Sequence, residues 1–157
     1  MIPNRDIKRQ QQVLVSLFAK TSTACGDDME MRAHWARYLC VLSAGFVETG
    51  VKAIFDDFVQ AKASEPVAKF ASSQIRQIQN PKTKRILEIA GSFKDDWKEA
   101  LGRYVAEKGR GEAIDSIMQN RHLIAHGRSS GVSLVQVRNY FNLAVDVLDF
   151  IENECAA

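Results

Sequence analysis

The amino-acid sequence predicts an all-α chain, an up-and-down bundle of long helices with short helices inserted in the middle. Three observations carry that prediction. Strand signals are nearly missing: no stretch alternates apolar and polar residues for long, and no Asn-Gly or Asp-Gly dipeptide offers a hairpin turn. Helix punctuation, by contrast, recurs along the chain as capping residues, glycines at helix ends and prolines at helix starts. The last segment also places apolar residues at steps of three and four, which gives a helix one apolar stripe.

The elements follow in order. Residues 6–20 read as a first, peripheral helix, with Val13 and Leu17, joined by Leu14 and Phe18, on one side. Residues 21–28 are small, polar and glycine-containing, and read as a loop. A long helix over 29–63 follows, broken by Ser64-Glu65-Pro66, since proline cannot continue a helix but suits a first turn. A shorter helix runs to about 78. Asn80-Pro81 reads as a cap with proline opening the next helix, which ends at Gly91. Ser92 to Asp95 can cap a helix carrying Phe93, Trp97, Leu101 and Tyr104. Lys108-Gly109-Arg110-Gly111 reads as a basic loop before a helix over 112–126, which Gly127 stops. Ser133-Leu134-Val135-Gln136 has the form of a capping box. It opens a last helix with Val137, Phe141, Ala144, Leu148 and Ile151 on one side.

Composition bounds the rest. A length of 157 residues suits a single domain, and 46% hydrophobic against 25% charged residues is the balance of a globular protein. A net charge of +2 argues neither for nor against nucleic acid, so a local basic patch has to carry that case. The three cysteines, Cys25, Cys40 and Cys155, have no pair or zinc spacing, which implies reduced thiols and a cytoplasmic setting. The N-terminus lacks the apolar run of a secretory signal. The longest apolar candidate for a membrane span, 38–51, is shorter than the roughly 20 residues required and contains Glu48, so no membrane association is expected.

Two places break an otherwise apolar pattern. On a helical wheel, Ile114, Ile117, Met118, Ile124 and Ala125 share a face with Arg121 near its centre, and His122 and His126 sit at its edge one turn apart. A guanidinium on an apolar face keeps its proton and must find an acceptor. Leu123 points to the other side, which suggests that this side too is covered, by a second subunit. The other place is Glu48, the only charged residue between Tyr38 and Val51. A carboxylate there is either paired or has a raised pKa, so Arg121 and Glu48 are natural partners. A plainer reading stands beside this one: Arg and His near a helix C-terminus favour the dipole and cap carbonyls, and Glu48 can be a structural ion pair.

Other chemistries find little support. His122 and His126 have the spacing of two metal ligands on one helix, but His34 is the only further histidine and no glutamate follows His122. No metal and no cofactor are therefore expected. No GxGxxG, P-loop or nucleophile elbow occurs. Cys40, on a buried helix, has the setting of an inert thiol.

The segment Arg121-His122-Leu123-Ile124-Ala125-His126-Gly127 resembles the signature of HEPN domains, an arginine followed by a polar residue, with a histidine after four to six intervening residues. Here four intervene and the polar one is His122. The helix order, with the motif on the penultimate helix, agrees, and Glu48 matches an acidic position many members carry. The resemblance covers roughly 29–154 and is closest to the stand-alone bacterial type related to the RiboL-PSP branch. It implies a homodimer with two motifs facing across a cleft, and a metal-independent ribonuclease of the kind that serves as a toxin or phage-defence effector beside an antitoxin or defence-system partner.

Under that resemblance Arg121 holds the scissile phosphate, His126 acts as general base or acid, His122 positions substrate or His126, and Glu48 orients Arg121. Lys108, Arg110 and Arg128 are candidate RNA-backbone contacts. Arg128 stands where toxins controlled by a nucleotidyltransferase carry a tyrosine, which puts that route of control in doubt. Two other readings remain open: a non-catalytic HEPN module that binds RNA, a nucleotide or a protein, and a structural subunit of a defence complex.

Overall fold

The computed structural model describes residues 4–157, and the described residues form seven helices and no strand. In chain order these are α1 (Arg5–Cys25), α2 (Met29–Lys62), α3 (Glu65–Ile75), α4 (Thr83–Phe93), α5 (Asp95–Ala106), α6 (Arg110–Ala125) and α7 (Leu134–Ala156). The four long helices α1, α2, α6 and α7 make the bundle, and α3–α5 cover one end of it.

The central member is α2, which packs against α1, α6 and α7. Its Leu39, Cys40, Val47, Val51 and Phe55 are fully buried. By length and composition alone α2 could cross a membrane, contrary to the sequence expectation, yet over half of its most apolar stretch is buried inside the protein. A helix apolar nearly all round is what the centre of a bundle requires. Hydrogen bonds from Asn4 to Asp57 (2.9 Å) and from Thr49 to Gln10 (3.4 Å) run α1 antiparallel to α2. The Phe141 ring lies 5.3 Å from Phe46 and 5.4 Å from Phe18, knitting three helices together. Emptying that site with Phe141→Ala would cost about 3–5 kcal/mol. A Cβ on Gly50 would stand 2.7 Å from Leu148 Cδ1, so the glycine lets α7 close onto α2.

Several element ends differ from the sequence expectation, each because of a long-range contact. α1 runs on through the expected loop to Cys25. Thr21 and Cys25, both 5% exposed, extend the buried face begun by Leu14 and Phe18. That face, not one centred on Val13 (53% exposed), enters the core, so α1 is less peripheral than expected. Asn80-Pro81 does not open α4. Asn80 takes a left-handed φ of +42° and donates its N–H to Glu48, and α4 begins at Thr83, whose N–H is capped by Asp115 of α6 at 2.8 Å. Nor does α4 stop at Gly91; it continues to Phe93, whose ring stacks on Phe55 at 5.2 Å. The expected basic loop is a tight corner at Lys108 (φ +57°) and Gly109 (φ +71°), with Arg110 and Gly111 already inside α6. The capping box at Ser133 forms as expected, with both hydrogen bonds present.

Candidate functional site at the end of α6

The fully buried apolar side chains of α6 are Ala113, Ile114, Ile117 and Met118. Along the last turns Arg121, Leu123 and Ile124 are half-buried, while His122, Ala125 and His126 are exposed. Ile124 still packs against the core at its margin, and Arg121, three residues before it, is half-buried. Its backbone is held at the α2–α6 contact. The Cys40 thiol donates to the Ile117 carbonyl at 3.6 Å. Burial pushes that thiol up to about 11, against a smaller lowering by a backbone hydrogen bond from Arg121.

Beyond Ala125 the chain reverses tightly. Gly127 adopts φ +65°, its N–H bonds the Ile124 carbonyl at 3.1 Å, and the Arg128 N–H bonds the Leu123 carbonyl at 2.8 Å. These two bonds are those of a Schellman motif, which needs a left-handed residue and so favours glycine. They fix His126 at the helix end, where its ring lies 4.5 Å from the ring of His122, tilted by 55°. The loop after it is tied back again: Ser130 Oγ donates to Asn120 Oδ1, and Asn120 Nδ2 donates to the Ser116 carbonyl, both at 2.8 Å.

The Arg121 guanidinium makes no hydrogen bond or ion pair among the described residues. The expected partnership with Glu48 does not form within one chain. Glu48 Oε1 accepts from Lys52 at 3.1 Å and Oε2 accepts the Asn80 N–H at 2.6 Å. The physical reason is axial distance. Glu48 lies eight residues beyond Cys40, the α2 residue at the level of Ile117 and Arg121, a displacement of about 12 Å along a helix. Its carboxylate instead pins the α3–α4 connection.

The three basic residues proposed as RNA contacts also separate. Arg128 is exposed beside His126. Lys108 is exposed at the far end of α6, about 24 Å or more from His126 by helical rise. Arg110 is buried at 6% exposure and unavailable to a ligand. Its guanidinium lies 3.7 Å from the Tyr104 ring centroid, Nη1 donates to the Tyr104 carbonyl at 3.1 Å, and Tyr104 in turn stacks on Phe150 at 4.2 Å. It is the hinge-pin of the α5–α6 corner.

Several residues near the motif went unread in the sequence. Asn120 and Ser130 had no signal, because their bond joins residues ten apart. On α2, three and six residues before Cys40, Arg37 Nη2 lies 2.6 Å from His34 Nδ1, both exposed or half-buried. Next to them Tyr38 and Val41 are exposed, at 52% and 37%. Val41 lines an open groove of about 560 Å³ between α1 and α2 together with Val13, Leu42, Gly45, Phe46 and Glu48. An exposed Tyr and Val within an apolar helix were the available clue. No group of three or more His, Cys, Asp or Glu side chains that could hold a metal ion gathers among the described residues.

One comparison with known proteins gives a match: the model of the family described as RiboL-PSP-HEPN covers residues 6–157, which takes in α1 as well as the bundle that carries the motif. No curated protein and no solved structure matches the chain.

Proposed function

The chain belongs to the RiboL-PSP-HEPN family, and from that membership we propose that it is a metal-independent endoribonuclease whose site is assembled from the Arg121 and His126 of two copies. The observation that carries the proposal is the unpaired, half-buried guanidinium of Arg121, five residues before an exposed imidazole whose backbone is locked. A guanidinium without a carboxylate is available to phosphate oxygens, which its planar fork suits. An imidazole changes charge near neutral pH and can take or give a proton.

The chemistry follows from these two groups. One His126 removes the proton from a ribose 2′-hydroxyl as that oxygen attacks the adjacent phosphorus. The 2′-oxygen–phosphorus bond forms while the bond to the 5′-oxygen breaks, and the departing oxygen takes a proton from the second His126. Arg121 neutralises the charge that builds on the non-bridging oxygens. His122, in ring contact with His126, orients it. Arg128 contributes a backbone contact. The nucleophile belongs to the substrate, so DNA is not cut.

Dimerisation is supported by exposed apolar surface on α1 and α2. Val13 and Val41 are exposed along the α1–α2 groove, and Tyr38 is exposed three residues before Val41, apolar exposure of the kind that marks a protein interface. The setting that fits such an enzyme is a cytoplasmic toxin or phage-defence effector restrained by a partner protein. One observation favours a second reading, binding without turnover: Glu48, at the acidic position of many members, is committed to Lys52 and Asn80. The test is incubation of the purified dimer with a mixed RNA panel in EDTA. Fragments with 2′,3′-cyclic phosphate and 5′-hydroxyl ends are expected. Products with 5′-phosphate ends, or equal cleavage of DNA, contradict the mechanism, and binding without cleavage selects the second reading.

A further inference from the structure

We infer that Asn120 and Ser130 form a latch that positions the catalytic helix end, a role resting on the ribonuclease reading above. The loop from Gly127 to Val132 is exposed at Gly127, Arg128, Ser129 and Gly131, yet the Ser130 between them is buried at 9% exposure. Its hydroxyl donates to Asn120 Oδ1 at 2.8 Å. The Asn120 carboxamide cannot swing away, because its Nδ2 donates to the Ser116 carbonyl one turn back at 2.8 Å. Both polar ends of Asn120 are thus engaged, which fixes which end faces Ser130.

The latch spans the site. Asn120 immediately precedes Arg121, and Ser130 lies two residues after Arg128. Together with the Arg128 N–H to Leu123 bond and the buried Val132, it ties the reversal at three points. Releasing the Ser130 tie would remove no group that touches substrate but would let the reversal drift relative to Arg121. Misplacement of a fraction of an ångström to 1 Å penalises the transition state more than ground-state binding. Asn120 and Ser130 are positioning residues, acting through Arg121, His126 and Arg128.

The experiment compares wild-type dimer with Ser130→Ala, Asn120→Ala, the double variant and Ser130→Thr, on an RNA that the wild type cleaves, well below each variant's melting temperature. Expected is a fall in kcat of about tenfold for each single alanine, with KM changed less than about twofold. The double variant should be no worse than the poorer single, because one bond is broken once. Ser130→Thr, which keeps the hydroxyl, should recover most of kcat. Amide exchange gives a readout independent of activity: Ser130→Ala should lower protection of the Arg128 N–H at least about tenfold while leaving core amides of α2 unchanged. The latch is overturned if Ser130→Ala keeps kcat within twofold, if the two single effects multiply, or if Arg128 protection is unmoved. A wild-type protein that cuts no RNA overturns the ribonuclease reading itself and this role with it, whatever exchange shows.

Discussion

At the residue scale, the three cations grouped as RNA contacts have distinct environments, and their responses to substitution should differ accordingly. Arg128 is exposed next to His126, so Arg128→Ala should weaken RNA binding uniformly across sequences and reduce the slope of log affinity against log salt by about 0.7, the value of one single-strand phosphate contact. Lys108→Ala, at the other end of α6, should leave both unchanged; fluorescence titration at several salt concentrations measures this. Cys40 sets a pH dependence of stability. Its folded pKa is raised by burial from 9.0 to about 11, so the unfolded chain releases the proton first. The stabilisation is whole below pH 9 and is lost as pH rises through about 11, at on the order of 1 kcal/mol per pH unit. Urea unfolding of wild type and Cys40→Ser across that window should show the wild type losing stability more steeply. Parallel curves would place the thiol outside the core.

At the element scale, the helices were largely legible and their junctions were not. Gly127 and the Ser133–Gln136 pair announce their ends in local sequence, because a left-handed residue and a reciprocal side-chain cap are short-range devices. The missed junctions depend on partners far away. Asn80 looks like a cap but gives its amide to Glu48, 32 residues earlier, and Thr83 is capped by Asp115. Thr21 and Cys25 look like loop residues but lie on the buried face of α1. The motif itself was legible as Arg121 to His126. Its latch and the commitment of Glu48 were not, because both depend on how separated segments meet. Arg110 is the clearest such case: a basic residue between two glycines that is buried under Tyr104. Arg110→Ala should destabilise the fold by about 2–3 kcal/mol through lost stacking and an emptied buried site, without altering the salt dependence of RNA binding. Denaturant unfolding checks the first part. A stability change below about 0.5 kcal/mol would mean that the α5–α6 corner does not rest on this residue.

At the scale of the whole molecule, the bundle delivers one end of α6 to the surface. Leu123 and Ile124 of α6 are only half-buried, and α2 presents Tyr38 and Val41 as exposed apolar residues. A charge placed there should separate the copies without unfolding either. Val41→Asp should give a folded monomer by light scattering and circular dichroism, with cleavage lost. A folded monomer of undiminished activity would make one motif a complete site.

Whether Arg121 and His126 carry metal-independent RNA cleavage is decided by assaying wild type and His126→Ala, purified identically, on the same RNA in EDTA. Expected are cleavage by the wild type, with cyclic phosphate ends, and a loss of at least about 10²-fold in His126→Ala. Equal cleavage by both proteins would place the chemistry elsewhere and contradict that role.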